Sequence, residues 1–225
     1  MDRPDTRTSL PSRKNLSNRG SEPYGSRMRF KVLGPLEVTG PEGPIPLGGP
    51  KQRAVLAHLF VRANELVPAE SLIDQVWSGE PPEAARGTIH SYISHLRKAL
   101  GADRIEGRPP GYVLHVGADE LDAERFERLL REARFANGSP GRAGNLLREG
   151  LALWTGPAFA DLSFEPSLAG EIARLDELRL QALEERIAAD LAEGRHGEVI
   201  GGCSAIAGGP RARPIYPRSH LRRSP

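Results

Sequence analysis

The segment ARGTIHSYISHLRKALG, residues 85–101, runs directly into ADRIEGRPPGYVLHV, residues 102–116, and this pair constrains the fold more than any other part of the chain. Ile89, Ile93, Leu96 and Leu100 recur at helical spacing and share one face, which predicts a helix with a buried stripe. Pro81 and Pro82 suit its start and Gly101 suits the position just past its end, so the helix is expected over residues 82–100. Beyond it, Arg104-Ile105-Glu106 and Tyr112–Val116 read as two short strands. They are joined by Gly107-Arg108-Pro109-Pro110-Gly111, a run of residues that favour turns.

The other face of this helix is polar. Arg86, His90, Ser91, Ser94, His95, Arg97 and Lys98 flank the stripe or point away from it, offering cations to phosphates and short polar groups to base edges. Arg104 and Arg108 are expected to ride on the hairpin. A winged helix-turn-helix presents its recognition helix and wing to DNA in this way. Taken alone, the pattern fits a solvated amphipathic helix and an ordinary hairpin equally well, so the order of the surrounding elements has to be weighed.

Upstream, FKVLGPLEV, residues 30–38, alternates apolar residues around Gly34-Pro35, and Ile45-Pro46-Leu47 follows a Gly/Pro turn, which together suggest a small antiparallel sheet. Residues 51–65 place Val55, Leu56, Leu59 and Phe60 on one face of a first helix. GGPKQR, residues 48–53, lacks the spacing and the Ser or Thr after Lys of a phosphate loop. It reads as a turn into that helix, whose N-terminus with Lys51 and Arg53 would meet a DNA phosphate. A second helix begins at Pro68 and buries Leu72, Ile73, Val76 and Trp77.

The second half reads as helices only. Residues 119–134 open with Asp122 suited to capping and bury Phe126, Leu129, Leu130 and Ala133. A second stretch ends near Trp154 and breaks at Gly156-Pro157. A long third stretch, residues 165–196, turns Leu168, Ile172, Leu175 and Leu178 inward, then Ala182, Ile187 and Leu191. Antiparallel helix pairs are expected, and Trp154 with the leucine stripe reads as core packing. No fixed repeat register is visible.

The order FKVLGPLEV, LGGPKQRAVLAHLF, LIDQVW, TIHSYISHLRKALG and GRPPGYVL resembles the OmpR-type winged helix at the N-terminus of SARP-like (antibiotic regulatory protein) transcriptional activators. LALWTGPAFADL and RLDELRLQALEERIAADLAEGRHGEVI are similar to the bacterial transcriptional activator domain that follows it there. The resemblance implies a mainly α chain with small β sheets: an OmpR/PhoB-type winged helix over 28–118, then a helical, tetratricopeptide-like domain over 119–200. It implies that helix 82–100 reads promoter repeats in the major groove and that the hairpin from Arg104 to Val116, Tyr112 included, touches backbone or minor groove. By position, Ser91 and His95 would face bases, while Thr88, Arg97 and Lys98 would mainly hold phosphates. His95 stands where this helix type frequently has Arg; a neutral imidazole cannot make the bidentate contact to guanine, which weakens or redirects specificity. Double-stranded promoter DNA is the implied partner, with RNA polymerase and a second copy on DNA as further ones. The alternative is a helical-repeat interaction module that no longer binds DNA.

Charge is distributed unevenly. Residues 28–118 carry ten Lys/Arg against nine Asp/Glu, whereas residues 119–200 carry ten against 17. So low a charge on a DNA-binding segment implies a modest salt dependence and a need for dimerisation or a partner. Residues 1–27, polar and without an apolar run, are expected to be a disordered tail and not a signal peptide, with Met28 as an alternative start. Residues 201–225 contain no acidic residue; a frameshift that cuts off the helical domain, or a genuine basic tail, accounts for them, and the last helix would then expose Ile187, Leu191, Val199 and Ile200. The single Cys203 excludes an intrachain disulfide framework and fits a reducing cytoplasm. No catalytic grouping, metal site or cofactor motif is read, so the expectation is a cytoplasmic, nucleoid-associated regulator and not an enzyme.

Overall fold

The structure is a computed structural model that describes residues 28–195 apart from residue 137. The expectations for 1–27, for a further helix at 196–200 and for the tail with Cys203 lie outside the described residues.

Strands β1 (Arg29–Lys31), β2 (Glu37–Gly40) and β3 (Gly43–Pro44) form an antiparallel sheet in that order, with Phe30 opposite Val38. The third strand precedes the expected Ile45–Leu47, although the Ile45 N–H still donates to Val38 O at 2.8 Å. Helix α1 (Pro50–Val61) buries every residue from Ala54 to Phe60, because structure packs around it on all sides. It stops well before Glu65, since Asn64 turns the backbone left-handed and Leu66–Pro68 form a strand, β4, which sequence periodicity did not predict. Pro68 is therefore the last residue of β4 and the cap of α2 (Ala69–Trp77), not a first helical residue.

Helix α3 (Ala85–Leu100) begins later than Pro82; both prolines lie before it, and the Ala85 N–H donates to Pro82 O at 2.9 Å. Ile89, Ile93, Leu96 and Leu100 are fully buried, as their spacing predicts. Strands β5 (Ile105–Arg108) and β6 (Gly111–Leu114) make the wing, and β6 is the centre of a sheet ordered β4-β6-β5. Gly111 faces Pro68 across this sheet, where an added Cβ would fall 1.9 Å from the Val67 carbonyl oxygen.

Helices α4 (Asp122–Phe135), α5 (Pro140–Leu151) and α6 (Ala169–Ala192) form the second half, with α5 packed on both neighbours. Trp154 meets Phe126 edge-on with ring centroids 5.5 Å apart, a core contact. Leu168, Leu175, Ala182 and Ala189 repeat every seven residues and are buried. Leu191, on the inward face by its spacing but among the apolar residues expected to be left open at the end of the last helix, lies two residues past this repeat, about 200° around the helix, and is 46 % exposed.

One continuous core runs through both halves. Asp122 does not cap its own helix; its carboxylate accepts the backbone N–H groups of Val32 at 2.9 Å and Leu33 at 3.2 Å. From the other side Thr155 N–H donates to Leu33 O, Phe159 N–H to Val32 O and Ala160 N–H to Gly34 O, all within 3.0 Å. The loop between β1 and β2 is thus gripped by the helical half. His58 on α1 lies within hydrogen-bond distance of Ser167 Oγ, 3.0 Å away, and burial pushes its imidazole down to about 4.

This burial sets a pH dependence. With its folded value depressed from 6.5, His58 contributes stability that is present above pH 6.5 and lost as pH falls toward about 4. Asp122, raised by burial from 3.8 to about 6, works in the opposite direction, its contribution being full below 3.8 and lost as pH rises through about 6. Urea unfolding of the His58→Gln variant separates the two. Its stability relative to wild type is expected to improve by on the order of 3 kcal/mol between pH 7 and pH 4, and parallel pH curves would refute the buried neutral imidazole.

Candidate nucleic-acid interface

Because the stripe from Ile89 to Leu100 is sealed in the core, α3 can present only its opposite face. Arg86, His90, Ser91, His95 and Lys98 are exposed there, and Thr88, Ser94 and Arg97 are half-buried at its edges. Lys98 has no acceptor among the described residues. Arg97 Nε donates to Ile105 O at 2.7 Å, pinning the last turns of α3 to the base of the wing. Thr88 Oγ1 donates to Ala84 O at 3.0 Å, so its proton is engaged within the helix. Arg86 is paired with the exposed Glu70 on α2. On the wing Arg108 is exposed and bound to Glu106, 3.0 Å away, and Tyr112 is half-buried in β6.

Three cations expected to contact DNA are engaged within the protein, Arg104 buried, Arg53 half-buried and Lys51 exposed. Arg104 lies in a short 3-10 turn before the wing, not on it, and is 4 % exposed. Its Nη1 and Nη2 bind both carboxylate oxygens of Glu120, at 2.6 and 2.9 Å, and its guanidinium sits 5.9 Å from the Phe30 ring centroid. This fork keeps Glu120 below the ordinary carboxylate range against the upward push of burial. Arg53 points into the contact between the halves, where it binds the Asp161 carboxylate while Asp161 also accepts the Leu36 N–H at 2.7 Å. Lys51 Nζ donates to Val76 O at 2.9 Å and lies 5.1 Å from the Trp77 ring centroid, closing the end of α2. In each case an acceptor from a different element claims the charge, which spacing along one helix cannot reveal.

Sequence reasoning missed the carboxylates of this face. Glu106 shares a strand face with Arg108 by the alternation of β structure, so that pair was legible; the approach of Glu70 to Arg86 depends on how α2 crosses α3. Among the described residues no group of three or more His, Cys, Asp or Glu is placed to hold a metal, and no helix is long and apolar enough to cross a membrane.

Residues 44–114 match the family described as transcriptional regulatory protein, C terminal, and residues 121–209 the bacterial transcriptional activator domain. The chain is 33 % identical over 192 residues to the regulatory protein DnrI of Streptomyces peucetius, a match that covers 80 % of this chain and 71 % of that protein. The chain belongs to the SARP-type transcriptional regulators.

Another relative is the transcriptional regulatory protein EmbR of Mycobacterium tuberculosis, 36 % identical over 195 residues, covering 83 % of this chain and 50 % of EmbR. The solved structure of EmbR in complex with a low-affinity phosphopeptide superposes with a TM-score of 0.77 at 35 % identity, over 81 % of this chain and 50 % of that one. This SARP-type chain therefore spans about half the length of EmbR. The winged helix followed by a helical region is the architecture expected from its sequence. SARP-type proteins are regulators of transcription and not enzymes.

Proposed function

We propose that this chain is a cytoplasmic, nucleoid-associated, sequence-specific DNA-binding regulator, an activator, in which α3 reads promoter repeats in the major groove. The observation that carries this reading is the exposed face of α3, where polar Ser91 and His95 and an uncompensated Lys98 stand over a fully buried stripe, beside a wing. Residues 28–118 form the DNA-binding domain and residues 119–200 the activator domain. Ser91, His95 and Ser94 face base edges; Lys98, Arg86 and Arg108 serve phosphates. Arg97 positions the wing. The acidic helical half contacts RNA polymerase or a second copy on the duplex.

Titration of a promoter duplex at several salt concentrations tests the reading. Lys98→Ala should weaken binding to every sequence by about threefold to tenfold and reduce the salt slope by about 0.9. Ser91→Ala and His95→Ala should instead change base preference. The internal engagement of Arg53, Arg86, Arg104 and Arg108 favours a second reading, a winged helix that serves protein contacts. Absence of any salt-dependent binding to duplex DNA would decide for it.

A further inference from the structure

The exposed arginines of α3 and the wing, Arg86 and Arg108, already have carboxylate partners. Glu106 lies two residues from Arg108 on β5 and accepts from its Nη2 at 3.0 Å and its Nε at 3.3 Å. The same carboxylate is 3.0 Å from His115 Nε2. The hydrogen bond from His115, then the one from Arg108, hold Glu106 below the ordinary carboxylate range. Glu70, in the first turn of α2, binds Arg86 in the first turn of α3. The Ala69 N–H donates to Pro110 O at 3.1 Å, which sets the start of α2 against the wing turn. Glu70 and Glu106 therefore sit on elements that meet at the wing turn.

These two pairs differ from Arg104–Glu120 and Arg53–Asp161. The latter are drawn into the structure and fasten it, whereas the carboxylates of Glu70 and Glu106 stand in water, where an ion pair adds little to the stability of a fold. A phosphate offers an arginine the same acceptor geometry as a carboxylate. A duplex that takes Arg86 or Arg108 must share the guanidinium with the carboxylate already bound or displace it, and in either case that negative charge remains beside the phosphate.

Resting on the reading of this face as DNA-binding, we infer that Glu70 and Glu106 are built-in counter-charges that hold the affinity of one chain for duplex DNA low. Stable occupancy then requires base contacts or a neighbouring protomer, and binding to random sequence is suppressed.

The test uses the full chain and a random-sequence duplex followed by fluorescence anisotropy across a salt titration. Glu70→Gln and Glu106→Gln should each raise affinity about threefold to tenfold at low salt and steepen the salt slope by about one. Glu132→Gln, on α4 of the helical half, serves as control and should change neither. Adding Arg86→Gln to Glu70→Gln, or Arg108→Gln to Glu106→Gln, should cancel the gain. If wild type binds with normal salt dependence but neither glutamine variant gains, the inference is wrong. A loss of affinity would also overturn it, showing that the carboxylates aim their arginines at the backbone. Gain in the variants with undetectable wild-type binding supports it. If no protein binds, the DNA-binding reading itself fails and the inference falls with it.

Discussion

Gly111→Ala is expected to cost this protein about 4 kcal/mol of stability and to abolish duplex binding with it. The new methyl group would lie 1.9 Å from the Val67 carbonyl oxygen and 2.7 Å from Pro68 Cα, and both are backbone atoms that no rotamer change can move aside. Relief requires β4 to separate from β6, which breaks the register Leu66–Val113, Val67–Tyr112 and Pro68–Gly111. β6 is the middle strand of the sheet, so the wing loses one of its two neighbours and α2 loses the contact of Ala69 with Pro110. Thermal unfolding followed by circular dichroism should show a fall in Tm of roughly 8–16 °C. A variant with wild-type Tm would mean that β4 does not press on the wing at this point.

The second large effect concerns Arg104. Arg104→Ala leaves Glu120 partly buried and without its fork, and breaking a buried pair on one side costs about 3–5 kcal/mol. Glu120 also accepts the Gly117 N–H at 2.8 Å, and its own carbonyl receives the Phe30 N–H at 2.7 Å. Losing the guanidinium thus loosens the segment that joins wing to α4 and the edge of the N-terminal sheet. Tm should fall by roughly 6–20 °C. In protein kept folded at low temperature, the salt slope of duplex binding should remain that of wild type, because this arginine neutralises a carboxylate and not a phosphate. A slope reduced by about 0.9 would restore Arg104 to the DNA surface, where its sequence position suggested it.

What could be read from the sequence depended on the length of the pattern and the distance of the partner. The stripe of α3 repeats over about three turns, and its burial matches the prediction at each position. β4 is three residues long, too short for alternation to show, and it hides between two helical patterns. Exposure of Ser91, His95 and Lys98 followed from the stripe; the fate of the arginines did not. Arg104 and Arg108 are equally basic and four residues apart, yet one meets Glu120 in the interior and the other meets Glu106 in solvent. Asp122 shows the same limit: an acid at a helix start suggests a local cap, and its actual partners lie 89 and 90 residues away.

The grip of the helical half on the loop from Val32 to Leu36 has a mechanical consequence. With that loop tied at Asp122, Thr155, Phe159 and Asp161, the winged helix has no independent swivel. Any torque applied to α4–α6 by a bound protein is delivered to α3 as a turn of the whole body. If two copies bind adjacent promoter repeats as proposed, the spacing of those repeats must accommodate the full width of both halves, so the footprint of each copy would be set by helices that need not touch a base.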